Sequence, residues 1–187
     1  MKIYEYENYQ DYVDAQTEAN KRKLNRVWTK QSVINKAKFY KEEAQDILCH
    51  GVRNGAELNM FRSVYGAGNI IGTEISETAT QFPNVVQHDF QDVREEWVGQ
   101  FDIVYSNSFD HAFDPERTLT AWKDQLKEDG VVIIELMIGN ENRSKRTDPL
   151  EISQKEFKNL AATVGLELIG AETALKDQSN LFAFRKV

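Results

Sequence analysis

The chain has 187 residues, 41% apolar and 28% charged, with a net charge of −7 and one cysteine. That suits one domain with a full core. It excludes an internal disulfide framework. The acid excess lies in residues 46–187, which argues against a nucleic-acid partner, because phosphate contacts dominate that kind of affinity. The start, "MKIYEYENYQDY", has no basic region followed by an apolar stretch, so it does not read as a secretory signal. The longest apolar run, Val131–Ile134, is too short to span a bilayer. A cytoplasmic protein with no membrane partner is the expectation.

Residues 1–45 carry no convincing strand pattern. "NYQDYVDAQTEANKRKLNRVW" has helix-forming composition, with Tyr9, Tyr12, Val13 and Gln16 on one face. "SVINKAKFYKEEA" reads as a second helix, with Ser32 as its N-cap. These residues form a helical extension to the domain at 46–187. From Asp46 the pattern changes to short apolar runs: "DILCH", "NIIGTE", "NVVQH", "FDIVYS", "GVVIIELM", "LELIGA" and "NLFAFRK". Helical patterns stand at Ala56–Tyr65, Pro115–Leu126 and Ser153–Val164. Strands alternating with helices predict a parallel sheet with right-handed crossovers. The last two runs are too close for a helical crossover and predict an antiparallel pair at one edge.

Ligands of open α/β sheets sit at the carboxyl ends of the strands. The turn after the first of these runs is Gly51-Val-Arg-Asn-Gly55. It is neither G-x-G-x-x-G nor a P-loop. Glu57, in the first turn of the next helix, complements the helix dipole and repels a diphosphate. A zwitterionic or cationic cofactor suits this turn better. Glu74 ends the second run, 23 residues after Gly51, close to the spacing of about 20 at which an acid binds ribose hydroxyls. Asp89 and Phe90 lie just past the third run. There an aspartate can accept from an exocyclic amine and a phenyl ring can cover a flat base. The fourth run ends at Ser106-Asn107, and its loop carries Asp110 and His111 before Asp114 and Pro115 open a helix.

Together these stretches resemble the class I S-adenosylmethionine-dependent methyltransferases of the small-molecule type. "DILCHGVRNGAE" stands at the family's glycine-rich first motif, "IIGTEIS" at its ribose-binding strand and "HDF" at its adenine-binding one. "FDIVYSNSFDHAFDP" with "LKEDGVVIIEL" resembles its fourth and fifth strands. The resemblance implies an α/β, Rossmann-like, seven-stranded, mostly parallel sheet with an antiparallel C-terminal strand and helices on both faces. It implies S-adenosyl-L-methionine as cofactor and a small molecule as substrate. By position, Gly51 and Gly55 border the methionine part, Glu74 the ribose, Asp89 and Phe90 the adenine, and Asn107 the floor, with Ile75 also at the cofactor site. The chain departs from the family at Cys49-His50, where an acid is usual, and at Arg53-Asn54, where small residues are usual. Arg53 suits the cofactor's carboxylate, a bidentate task.

A base is needed only where the nucleophile keeps a proton; His111 and Asp110 are the catalytic candidates. No metal site is expected, since Cys49 and His50 are strand neighbours pointing to opposite faces. "GNENRSKRTDP" brings Arg143, Lys145 and Arg146 to the border of the cleft. Two alternatives stay open at this point: a protein that binds S-adenosylmethionine or S-adenosylhomocysteine without methyl transfer, and a nicotinamide-dependent oxidoreductase.

Overall fold

The computed structural model describes residues 1–137, 144–172 and 179–187. Arg143 lies outside the described residues. In chain order the elements are β1 (Lys2–Ile3), α1 (Tyr9–Arg22), α2 (Gln31–Ile34), α3 (Ala37–Tyr40), β2 (Asp46–His50), α4 (Ala56–Tyr65), β3 (Asn69–Glu74), β4 (Val85–Gln87), β5 (Phe101–Ser106), α5 (Pro115–Gln125), β6 (Leu126–Met137), β7 (Leu150–Glu151), α6 (Gln154–Thr163), β8 (Leu166–Glu172) and β9 (Ser179–Lys186). Among these residues no helix is long and apolar enough to cross a membrane.

The seven-stranded sheet has the order β4-β3-β2-β5-β6-β9-β8. Pairings from β4 through β6 are parallel, and β9 is antiparallel to both β6 and β8. The expected mostly parallel sheet with an antiparallel C-terminal strand is therefore present. Alternation along each strand sends side chains to two separate cores. Leu48, Val104, Val132, Ile134 and Phe184 meet Leu119 and Trp122 of α5 and Phe157 of α6 on one face. Ile47, Cys49, Ile103, Tyr105 and Ile133 meet Ile34, Ala37, Leu58 and Phe61 of α2–α4 on the other.

The N-terminal segment differs from expectation in two ways. Lys2 and Ile3 do form a strand, antiparallel to Glu151 and Leu150; two residues carry no period that a sequence pattern can register. The second helix is two one-turn helices, with Lys30 rather than Ser32 at the start of the first. Val33, Ile34 and Ala37 of these two turns are buried in one core with Leu58 and Phe61 of α4. The longer α1 is regular. Asn8 caps it by accepting from Asp11 N–H, and Lys21 and Arg22 in its last turn complement the dipole.

His50 and Cys49 are both buried structural side chains. The His50 ring stacks on Trp122 at 5.1 Å and is bonded by Thr73 Oγ1 and Gln125 Oε1, each at 2.8 Å. Burial pulls its pKa down to about 3, so it is neutral. Cys49 sits among apolar side chains on the opposite face, where burial pushes its thiol up.

Candidate functional site

The turn between β2 and α4 is built on three left-handed residues: Gly51 at φ 70°, Arg53 at φ 50° and Gly55 at φ 73°. A Cβ on Gly51 would lie 2.7 Å from Ser108 Cβ, so only glycine lets the turn lie against the β5 loop. Arg53 takes a conformation unfavourable for a side-chain-bearing residue. Its backbone N–H donates to Glu74 Oε2 at 3.0 Å, which holds it there. The turn thus has a left-handed backbone at position 53 and carries a guanidinium there.

Glu74 is buried at the end of β3. Ser76 N–H donates to its other oxygen at 3.1 Å. Burial raises its pKa, opposed by these bonds and by the Arg53 charge. Gly51, Arg53, Glu74, Ile75, Phe90, Ser108 and His111 line one cavity at the carboxyl ends of the strands. Its other lining residues are Tyr12, Gln16, Ala19 and Asn20 of α1 and Lys23 just after it. The cavity measures about 50 Å³, against ~300–1,000 Å³ for sites that enclose a small molecule. It is narrow because α1 is packed into its mouth.

Four of the residues expected at the site lie outside this lining. Gly55 starts α4 and packs on Val85. Asp89 is buried, accepting from Gln91 N–H and from the Tyr9 hydroxyl, both at 3.0 Å; burial raises its pKa. Asn107 turns its amide to Glu57 Oε1 at 3.4 Å. Asp110 sits behind His111, with Oδ1 3.9 Å from His111 Nε2.

Two buried polar atoms of the lining residues, Asn20 Nδ2 and Arg53 Nε, have no hydrogen-bond partner, and neither has Glu57 Oε2 in the first turn of α4, outside the lining. Buried polar groups are normally paired. Asn20 is oriented by Thr78, whose hydroxyl donates to its Oδ1 at 2.8 Å, and its amide lies beside the Glu74 carboxylate. Donor and acceptor are thus presented together where vicinal hydroxyls could take both.

His111 is held from α1. Gln16 Nε2 donates to Thr147 O at 3.4 Å, so its Oε1, 2.8 Å from His111 Nδ1, accepts from Nδ1–H. The neutral ring then carries its lone pair on Nε2. Asp148 Oδ1 stands 3.7 Å from that atom and Asp110 Oδ1 3.9 Å. Sequence reasoning missed Asn20, Lys23, Ser108 and Asp148. The available signal was polar: Gln16 and Asn20 share the buried face of α1 with Ala15 and Ala19.

Residues 48–134 match the family model described as a methyltransferase domain. No curated protein matches the sequence. The solved 1,6-didemethyltoxoflavin-N1-methyltransferase of Burkholderia thailandensis is similar with a TM-score of 0.77 at 13% identity, over 98% of this chain and 92% of that one. That structure holds 1,6-didemethyltoxoflavin and S-adenosylhomocysteine. DesVI of Streptomyces venezuelae is similar with a TM-score of 0.69 at 16% identity, over 98% and 100%. A TehB-like methyltransferase of Corynebacterium glutamicum gives 0.61 at 18%, over 95% and 98%. The sheet order and these likenesses define the class I methyltransferase fold. Residues 48–134 thus match a methyltransferase domain within a chain that has this fold.

Proposed function

We propose that this protein is a methyltransferase that binds S-adenosyl-L-methionine in the cavity under α1 and methylates a small molecule. The observation that carries the reading is the cavity's composition. One recess combines a buried acid with an unpartnered amide, an aromatic ring, and a glycine turn bearing a guanidinium. Glu74 and Asn20 would take the ribose hydroxyls, Ile75 and Phe90 the faces of the adenine, and Asp89 its amine. Gly51 and Arg53 would hold the amino-acid end, with Gly55 fixing the turn and Asn107 closing the floor. When bound, the cofactor supplies a methyl group on a sulfonium, already activated for displacement, so the protein's task is largely positioning.

His111 is the proton acceptor in this reading. Gln16 fixes its tautomer, and its Nε2, with Asp148 Oδ1 at 3.7 Å and Asp110 Oδ1 at 3.9 Å, takes the proton of the acceptor group. Because the cavity is smaller than the ligand, the cleft must widen as the cofactor enters.

The test is a thermal-shift comparison of S-adenosylmethionine, S-adenosylhomocysteine and NAD. A ligand of the native state raises the melting temperature by mass action. The first two should raise it and NAD should not; a shift with NAD alone would replace this reading with an oxidoreductase.

A further inference from the structure

Glu57 is the buried titratable group that the proposed mechanism leaves unused. It stands in the first turn of α4 and is 5% exposed. One carboxylate oxygen accepts from Asn107 and the other has no partner. An ionised carboxylate in that state carries an uncompensated charge. The groups that face it are Arg53 from the turn, Cys49 from β2, Tyr105 and Asn107 from β5 and the loop after it, and Glu135 from β6. Of these only Arg53 is a cation, and its Nε is itself buried and unpartnered.

A guanidinium and a carboxylate, each with an unused polar atom, thus stand within electrostatic reach at one glycine turn. An α-amino acid carries its carboxylate and its ammonium on one carbon. A site that reads both needs a cation and an anion side by side, each with a free hydrogen-bonding atom. The end of β2 bears no acid to do this, since Cys49 and His50 occupy it.

We infer that Glu57 is the acceptor for the α-ammonium of the cofactor's methionine part, paired with Arg53 on its α-carboxylate. The inference rests on the proposed cofactor and assigns to α4 a recognition residue that the β2 end lacks. One consequence concerns protons. Burial raises the Glu57 pKa to about 7 in the free protein. An arriving ammonium favours the carboxylate, so binding below that pH expels a proton from Glu57. Affinity for the amine-bearing ligand therefore rises with pH and levels off above about 7.

The test is calorimetric titration of S-adenosylhomocysteine and its des-amino analogue at pH 6 and pH 8, with wild type and Glu57→Gln. Forming the ratio of the two affinities cancels titration of Glu74, Asp89 and His111, which both ligands meet equally. In wild type the amine should improve binding about tenfold or more at pH 8 and much less at pH 6. Glu57→Gln should bring the ratio near one at both pH values and leave the des-amino affinity unchanged. A ratio near one in wild type, or a Glu57→Gln loss shared equally by both ligands, overturns the inference and leaves the cofactor reading intact. Should Glu57→Gln fail to fold, the pH dependence of the wild-type ratio decides alone. If neither ligand nor 5′-methylthioadenosine binds wild type, the cofactor reading itself falls.

Discussion

The Asn20 amide of α1 lies beside the carboxylate of Glu74 at the end of β3, a neutral donor next to a buried acid. Glu74 is held by two backbone N–H groups and Asn20 by the Thr78 hydroxyl, which orients both groups. Glu74→Ala should weaken S-adenosylhomocysteine binding by roughly 1–3 kcal/mol, the scale of a lost charge-assisted hydrogen bond. Asn20→Ala should weaken it by about 1 kcal/mol. Calorimetry reads both. Unchanged affinity in Glu74→Ala would remove the ribose from this corner.

Gly51 is the tightest point of the turn. Gly51→Ala places a Cβ in the left-handed region and against Ser108. The conformational part alone is worth about 1–2 kcal/mol, and each kcal/mol lowers the melting temperature of a chain this size by roughly 2–4 °C. Ser108→Gly in the same background should recover the steric part and not the conformational part. Full recovery in the double variant, read by melting temperature, would show that φ does not matter here.

Much of the fold is legible in the sequence because local and tertiary preferences agree. Ala56–Tyr65 is a helix with the expected bounds since Gly55 and Gly66 both take positive φ at its ends. The β8–β9 pairing follows from a connection too short for a crossover. Less of the site is legible. Arg53 reads as a departure from a glycine pattern, yet the backbone shape survives because a distant acid, Glu74, bonds its N–H. The wall supplied by α1 is hidden for a related reason. Its buried face carries Gln16 and Asn20, whose burial makes sense only beside His111 and Thr78, partners remote in sequence.

His111 ties α1 to the β5 loop through Gln16. Gln16→Leu removes the acceptor for His111 Nδ1–H and the donor to Thr147 O. His111→Ala removes the same link from the other side. Each should increase amide exchange in α1 and weaken S-adenosylhomocysteine binding by about 1 kcal/mol. The double variant should lose little more than either single one, as expected for two ends of one interaction. Fully additive losses would mean that the two residues act separately.

The pH dependence of stability separates two buried groups with opposite signs. Glu57 has a folded pKa of about 7 against a reference of 4.5. Its neutral form is favoured in the fold, so its contribution is fully present below pH 4.5 and is lost as pH rises through 7. His50 has a folded pKa of about 3 against 6.5. Its contribution is present above pH 6.5 and is lost as pH falls toward 3. Between pH 4.5 and 6.5 the two slopes oppose, each about 1.4 kcal/mol per pH unit, and they largely cancel in wild type. Glu57→Gln removes one of them. Relative to wild type, the variant should therefore lose roughly 2 kcal/mol of stability on going from pH 6.5 to 4.5. Urea unfolding of both proteins at pH 7.5, 6.5, 5.5 and 4.5 gives the difference directly, and other carboxylates drop out of it because they are shared. Parallel curves for the two proteins would mean that Glu57 is ionised throughout this range and that its unpartnered oxygen is solvated in solution.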